Sequence, residues 1–241
     1  MGNQMKNKSS AVNFQSGNIK NIVNYREFMM MYTCALKEIQ TKFDILNTEF
    51  KIRNQRNPIS AINTRLKQTS SISKKLEKLN LEFTLKNIEE HIHDVAGVRV
   101  ICSYIDDVYT IAQALLNQDD ITLIAKKDYI ENPKPNGYRS LHLIVEVPVF
   151  FAQNKKNVRA EVQIRTIAME YWASLEHQLK YKNKTTSQEK IISDLRECAA
   201  VINSIETRMI EIRKEIEDAS DTLSEDEILY QKLSRFDINV D

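Results

Sequence analysis

Between Lys127 and His142 the chain gathers Lys127, Lys134, Arg139 and His142 around Tyr138, with Asn132, Asn136 and two prolines in the same turn. A plain connector between strands needs only a glycine and a polar residue. This one carries cations, a flat ring and amide donors, and an apolar run from Leu141 to Val149 follows at once. Such a set suits a nucleotide, with cations for the phosphates and an aromatic face for the base. Tyr138, directly after Gly137, fits a base platform and fits a local packing plug equally well.

Two acids could add phosphate chemistry. Asp94 precedes the run Val95–Cys102, and Glu161 stands in Ala160-Glu161-Val162-Gln163-Ile164. On a strand, Glu161 and Gln163 share a face, because side chains two apart do. Mg²⁺ at a nucleotide site takes one or two carboxylates together with phosphate oxygens and water. An ion pair with Arg99 or Arg165 explains each acid as well. Arg99 interrupts an apolar run and needs a partner or a ligand. In Arg65-Leu66-Lys67-Gln68-Thr69-Ser70-Ser71-Ile72-Ser73-Lys74-Lys75 the Ser/Thr run reads as the N-cap of a basic helix from about Ile72 to Leu79, and helix N-termini attract anions. The 4 glycines, Gly2, Gly17, Gly97 and Gly137, make no P-loop or dinucleotide fingerprint. Phosphates would therefore rest on side chains such as Arg65, Lys67, Lys75, Arg99, Lys127, Lys134 and Arg139. The run His91-Ile92-His93-Asp94 suits a hydrolytic metal centre poorly, since the other two of the 4 His belong to other motifs. Cys102 has no adjacent base and reads as inert.

The elements that must position these groups follow from periodicity. Ile19 to Arg53 repeats apolar residues every three or four positions and predicts a helix that Asn57-Pro58 ends or interrupts. Val95–Cys102 predicts a buried strand, Ile105–Leu116 a helix crossing the sheet, and Ile121–Ile124, Leu141–Val149 and Val158–Ile164 three further strands. Thr166–Tyr181 predicts a helix. From Ile191 to Ile216 apolar residues alternate in steps of four and three, an a/d seam that wants a partner helix. The class is α+β, close to α/β, with long N- and C-terminal helices. The expected division is a tail over 1–18, a domain over 19–185 and a helical extension over 186–241.

Composition narrows the setting. The 241 residues are 42% hydrophobic and 28% charged with net charge +1, enough for a core and too balanced to advertise nucleic acid. The 3 Cys show no metal or disulfide pattern, which predicts a reducing cytoplasm, and no stretch suits a membrane span or a signal core.

Five blocks in order resemble the RelA/SpoT-type synthetase domain, specifically its stand-alone small alarmone synthetases. They are Arg65 to Lys75, Asp94-Val-Ala-Gly-Val-Arg-Val100, Lys134-x-Asn-Gly-Tyr-Arg-Ser-Leu-His142, Glu161-Val-Gln-Ile-Arg-Thr166 and Trp172-Ala-Ser-Leu-Glu-His177. The resemblance implies a nucleotidyltransferase-like mixed sheet flanked by helices. It also implies transfer of the β,γ-pyrophosphate of ATP to the 3′-hydroxyl of GDP or GTP, giving AMP and ppGpp or pppGpp. Arg65 and Arg99 would sandwich the adenine, and Lys67, Ser71 and Lys75 would hold the ATP phosphates. Asp94 and Glu161 would bind Mg²⁺, with Glu161 also activating the hydroxyl. Tyr138 would stack on guanine, and Lys127, Lys134, Asn136, His142 and Gln163 would position the acceptor. Synthesis without hydrolysis, a homotetramer and no membrane partner complete the expectation, with nucleic acid disfavoured as a partner but left open. A nucleotide- or RNA-binding regulator on the same fold, or transfer to another acceptor such as ATP or a tRNA end, remains open from the residues alone.

Overall fold

The structure is a computed structural model, and it describes residues 19–53, 56–182 and 188–220. The described residues form two compact units. The first runs to Lys134 and resumes over Tyr138–Tyr171; the second joins Pro135–Gly137 to the chain from Trp172 onward.

The first unit is a mixed five-stranded sheet in the order β1-β2-β5-β4-β3. Its strands are β1 (Ile59–Leu66), β2 (Ala96–Cys102), β3 (Thr122–Asp128), β4 (Leu141–Phe150) and β5 (Lys155–Thr166). The β2–β5 ladder is parallel and the other three are antiparallel. One face is apolar. Val98, Val100, Val162, Ile164, Leu143 and Val145 are buried there. They face α1 (Ile19–Arg53), which lies against β1, β2, β4 and β5, and α4 (Ile105–Leu116), which lies against β2 and β5.

The α1 stripe is Phe28, Tyr32, Leu36, Ile39, Phe43 and Leu46, all buried, at the steps of three and four that keep one helical face inward. Each such side chain stabilises the fold by about 1.5–3 kcal/mol. At the start of α4, buried Asp107 accepts the Tyr104 backbone N–H at 3.2 Å and pairs with Arg56. Burial pushes the Cys102 thiol up to about 12, so it is protonated at neutral pH.

One expectation needs correction and one element is new. The stretch before Arg65, where the sequence predicts no element, is a strand, β1, with Arg65 upon it. The helix after it, α2 (Thr69–Lys78), begins earlier than Ile72 and is capped by Gln68, which makes no side-chain cap hydrogen bond. Thr69 Oγ1 instead meets Tyr25 of α1 at 2.8 Å. The Ser/Thr run lies inside the first turn, where its hydroxyls come too late to cap. A short helix, α3 (Leu85–His91), does have a threonine cap: Thr84 Oγ1 accepts the Asn87 N–H.

In the second unit, α5 (Ile167–Lys182) contributes from Trp172 onward and α6 (Gln188–Ser220) follows. Trp172 Nε1 donates to Leu195 O at 3.0 Å, and Arg196 Nε donates to Pro135 O at 2.8 Å. The later part of the seam on α6 is open: Ile205, Met209, Ile212 and Ile216 are 36–62% exposed.

Gly137 has φ +88°, a left-handed conformation that disfavours any Cβ, and a Cβ built there would lie 2.5 Å from Ala199 Cβ. Gly137→Ala should destabilise the fold by about 1–3 kcal/mol, read as a lower Tm. An unchanged thermal melt would show that the turn yields at no cost.

Candidate functional site

The second face of the sheet is polar, and strand register decides which groups meet on it. Lys127, His142, Gln163, Arg99 and Asn63 form one row, because they are successive register partners across β3, β4, β5, β2 and β1. In the adjacent row Glu161 pairs with Gly97, and Gly97 pairs with Arg65. Glycine at the middle leaves a depression. A cleft of about 260 Å³ lies there, lined among others by Arg65, Lys67, Asp94, Arg99, Glu161 and Gln163.

Asp94 reaches the cleft from the turn before β2. The Lys67 N–H donates to Val95 O at 2.8 Å, which brings the exit of β1 beside that turn. Lys67 Nζ then meets Asp94 Oδ2 at 2.6 Å, and Lys75 Nζ, one turn above Ser71 on α2, meets Oδ1 at 2.8 Å. Burial pushes the Asp94 carboxyl up, but the hydrogen bonds and charges of the two lysines outweigh it and hold it below the usual range.

Glu161 is gripped at both oxygens. His142 Nδ1 lies 3.2 Å from Oε1, and Gln163 Nε2 donates to Oε2 at 2.9 Å. Burial again pushes this carboxyl up, and so does the Asp94 charge. The hydrogen bond and charge of His142, with the Gln163 bond, still hold it below its ordinary value. Both acids are therefore ionised at neutral pH. The ion pairs weighed for them with Arg99 or Arg165 are not made among the described residues. Both guanidiniums turn to Glu170 instead, Arg99 Nη1 to Oε1 at 2.9 Å and Arg165 Nη1 to Oε2 at 2.8 Å.

The turn around Tyr138 is crowded. Lys134 Nζ stands 4.6 Å from the Tyr129 ring centroid and 4.8 Å from that of Tyr138, and Arg165 lies 5.1 Å from the Tyr138 centroid. Tyr129, Tyr138 and His142 meet edge to face. Burial raises the Tyr138 phenol against the opposing charge of Arg165, so it keeps its proton. Its oxygen lies 2.9 Å from His142 Nε2. A ligand ring taking a face of Tyr138 would replace a cation already there. Lys127 and Arg65 are exposed, and Ser71 is half-buried on α2. Asn136 belongs to the second unit, where its Nδ2 donates to Glu176 Oε1 at 3.0 Å.

As a cation site, Asp94 and Glu161 offer two ionised, hard oxygen donors in one cleft, which fits a divalent metal that also takes ligand oxygens and water. Among the described residues no three His, Cys, Asp or Glu side chains gather as a cage. His91 is exposed at the end of α3, and burial together with the charges of Arg159 and Lys75 lowers His93. Sequence reasoning passed over Arg165 and Glu170 as site residues. Arg165 had a signal, since 161, 163 and 165 alternate onto one face. Glu170 had none, because only the turn of the chain into α5 brings it back.

Comparison with known proteins supplies the family and the fold. Residues 64–186 match the region found in RelA / SpoT proteins. The chain is 42% identical over 194 residues to the GTP pyrophosphokinase YwaC of Bacillus subtilis, covering 80% of this chain and 92% of that protein. The crystal structure of small alarmone synthetase 2 from Bacillus subtilis superposes with TM-score 0.72 at 42% identity, covering 80% of this chain and 99% of the other. That of small alarmone synthetase 1 from the same organism, bound to its product pppGpp, gives TM-score 0.72 at 32% identity, with coverages of 80% and 98%. The mixed five-stranded sheet with its flanking helices is the fold of these synthetases, and the chain belongs to the RelA/SpoT family.

Proposed function

We propose that this chain is a GTP/GDP pyrophosphokinase that makes (p)ppGpp in the bacterial stringent response. It would move the β,γ-pyrophosphoryl group of ATP to the ribose 3′-hydroxyl of GDP or GTP and release AMP. The observation that carries the reading is the cleft in which two ionised carboxylates, Asp94 and Glu161, stand among Arg65, Lys67 and Arg99 on one sheet face. The activity named for the relatives supports the same reading.

Phosphoryl transfer asks for in-line placement and neutralised charge, and needs no covalent nucleophile. Arg65 and Arg99 would flank the adenine, where planar guanidiniums stack. Lys67, Ser71 and Lys75 would hold the ATP phosphates, the two lysines exchanging part of their hold on Asp94 for phosphate oxygens. Tyr138 would carry the guanine, with Lys127, Lys134, Asn136, His142 and Gln163 placing the acceptor and its phosphates. As the new bond forms between the 3′-oxygen and Pβ, the bridge from Pβ to the α-phosphate oxygen breaks. AMP leaves with that oxygen, and the hydroxyl proton passes to Glu161. Asp94 and Glu161 would also hold Mg²⁺, which when bound offsets the charge on the phosphates.

The working form would be a homotetramer in the cytoplasm. The exposed row on α6 supports assembly, and no described helix is long and apolar enough to cross a membrane. Residues 19–185 would act as the synthetase domain and 186–241 as a helical extension.

Incubation with Mg²⁺, ATP labelled at the γ-phosphate, and GDP, GTP, ATP or tRNA in turn tests the function. Label should pass to GDP and GTP; a chain that labels neither is not this enzyme. Glu161→Gln should lower kcat by about 10²–10⁴-fold, the range of a lost general base, with nucleotide binding retained by calorimetry. Loss of folding in that variant would mark Glu161 as structural. Gly97→Ala probes the cleft floor, since an added Cβ meets nothing nearer than Arg65 O at 3.6 Å. The variant should fold normally yet raise KM for ATP roughly 10–100-fold, as one methyl in a filled pocket does. Normal KM would place the ATP elsewhere.

A further inference from the structure

The Arg165 guanidinium is buried at 5% exposure and grips four acceptors. Its Nε donates to Ser140 Oγ at 3.3 Å and its Nη1 to Glu170 at 2.8 Å. Its Nη2 donates to the Tyr138 hydroxyl at 2.6 Å and to Gln163 Oε1 at 2.9 Å. The last two contacts set directions further in. A Gln163 carbonyl that accepts from Arg165 leaves its amide N–H₂ to face Glu161 Oε2. The Tyr138 oxygen that accepts from Arg165 lies 2.9 Å from His142 Nε2. The other nitrogen of that ring, Nδ1, lies beside Glu161 Oε1 at 3.2 Å. Both contacts that hold Glu161 thus lead back to one side chain that does not touch it.

Glu170 extends the arrangement. A buried guanidinium needs a carboxylate, and this carboxylate also takes Arg99. Among the described residues Glu170 is the hydrogen-bond partner of Arg99, whose Nε is buried without one. Glu170 therefore fixes the plane of Arg99 at one end and the charge of Arg165 at the other.

We propose that Arg165 and Glu170 are positioning residues: Arg165 aims Glu161 through Gln163 and through Tyr138 and His142, and Glu170 ties that assembly to Arg99. The inference rests on the synthetase reading, in which Arg99 serves ATP and Glu161 the acceptor hydroxyl. It makes the placement of the donor and the aim of the base mechanically one unit.

The test measures kcat and KM for each substrate, with thermal melts, for wild type, Arg165→Lys, Glu170→Gln, Tyr138→Phe and the Arg165→Lys/Tyr138→Phe double variant. Arg165→Lys keeps the charge but not the fork, and should lower kcat by roughly 10–100-fold, the usual cost of a lost orienting partner, with KM values within about 3-fold. Tyr138→Phe keeps the ring and loses the hydroxyl. It should lower kcat without raising the acceptor KM, and its effect should shrink in the double variant because both act along one path. Glu170→Gln should raise KM for ATP and lower kcat together. Folded single variants with wild-type kcat, or effects of Arg165→Lys and Tyr138→Phe that simply multiply, would overturn the proposal. If Arg165→Lys does not fold, Glu170→Gln and Tyr138→Phe decide it by their own kcat. A wild type that labels no acceptor would defeat the synthetase reading first, an outcome distinct from an active wild type whose variants are unchanged.

Discussion

The parallel pairing of β2 with β5 is the constraint on which the site depends. It sets Gly97 opposite Glu161 and Arg99 opposite Gln163, so the residues of two separate sequence blocks become neighbours. A slip of one residue would turn Glu161, Gln163 and Arg165 toward α1 and α4, and would bring Val162 and Ile164 to the cleft. Nothing polar holds the register against that slip as firmly as the apolar face does. Val98, Val100, Val162 and Ile164 are at most 1% exposed, and a slipped strand would trade their burial for that of two charges. The chemistry on one face is thus held in place by packing on the other.

Much of the polar face is engaged in internal contacts. Lys67 and Lys75 answer Asp94, His142 and Gln163 answer Glu161, and Glu170 answers two arginines. The side chains so paired are held before any ligand arrives, while Arg65 and Lys127 stay exposed at the two ends of the face. A phosphate-bearing ligand therefore enters by exchange, replacing a carboxylate on a lysine or a lysine on an aromatic ring. Exchange of equals is cheaper than ordering loose side chains at the moment of binding.

How far the sequence reveals this depends on which signals are local. The helix Ile105–Leu116 and the start of the strand at Leu141 are visible because apolar spacing and flanking breakers coincide there. β1 escapes because it is an edge strand with Ile59 as its one buried residue. Without alternation, Pro58 reads as a helix break and nothing more. The Ser/Thr run misleads for a related reason: residue type suggests a cap, while the position of the first helical hydrogen bond is set by where β1 ends. Asp94, Glu161 and the basic residues are legible from type and block order. The bridge through Glu170 is not, because it joins a strand to the first turn of the next helix, and a five-residue separation carries no periodic signature.

The turn at Gly137 carries a constraint that reaches another position in the chain. Its missing side chain and the single methyl of Ala199 together fill one small volume. Residue 199 is therefore no freer to vary than residue 137, although helical propensity alone would accept many side chains there. Among homologous chains that keep this turn, residue 199 should stay small: a larger one would demand that the turn move away, and no residue smaller than glycine exists to make room at 137.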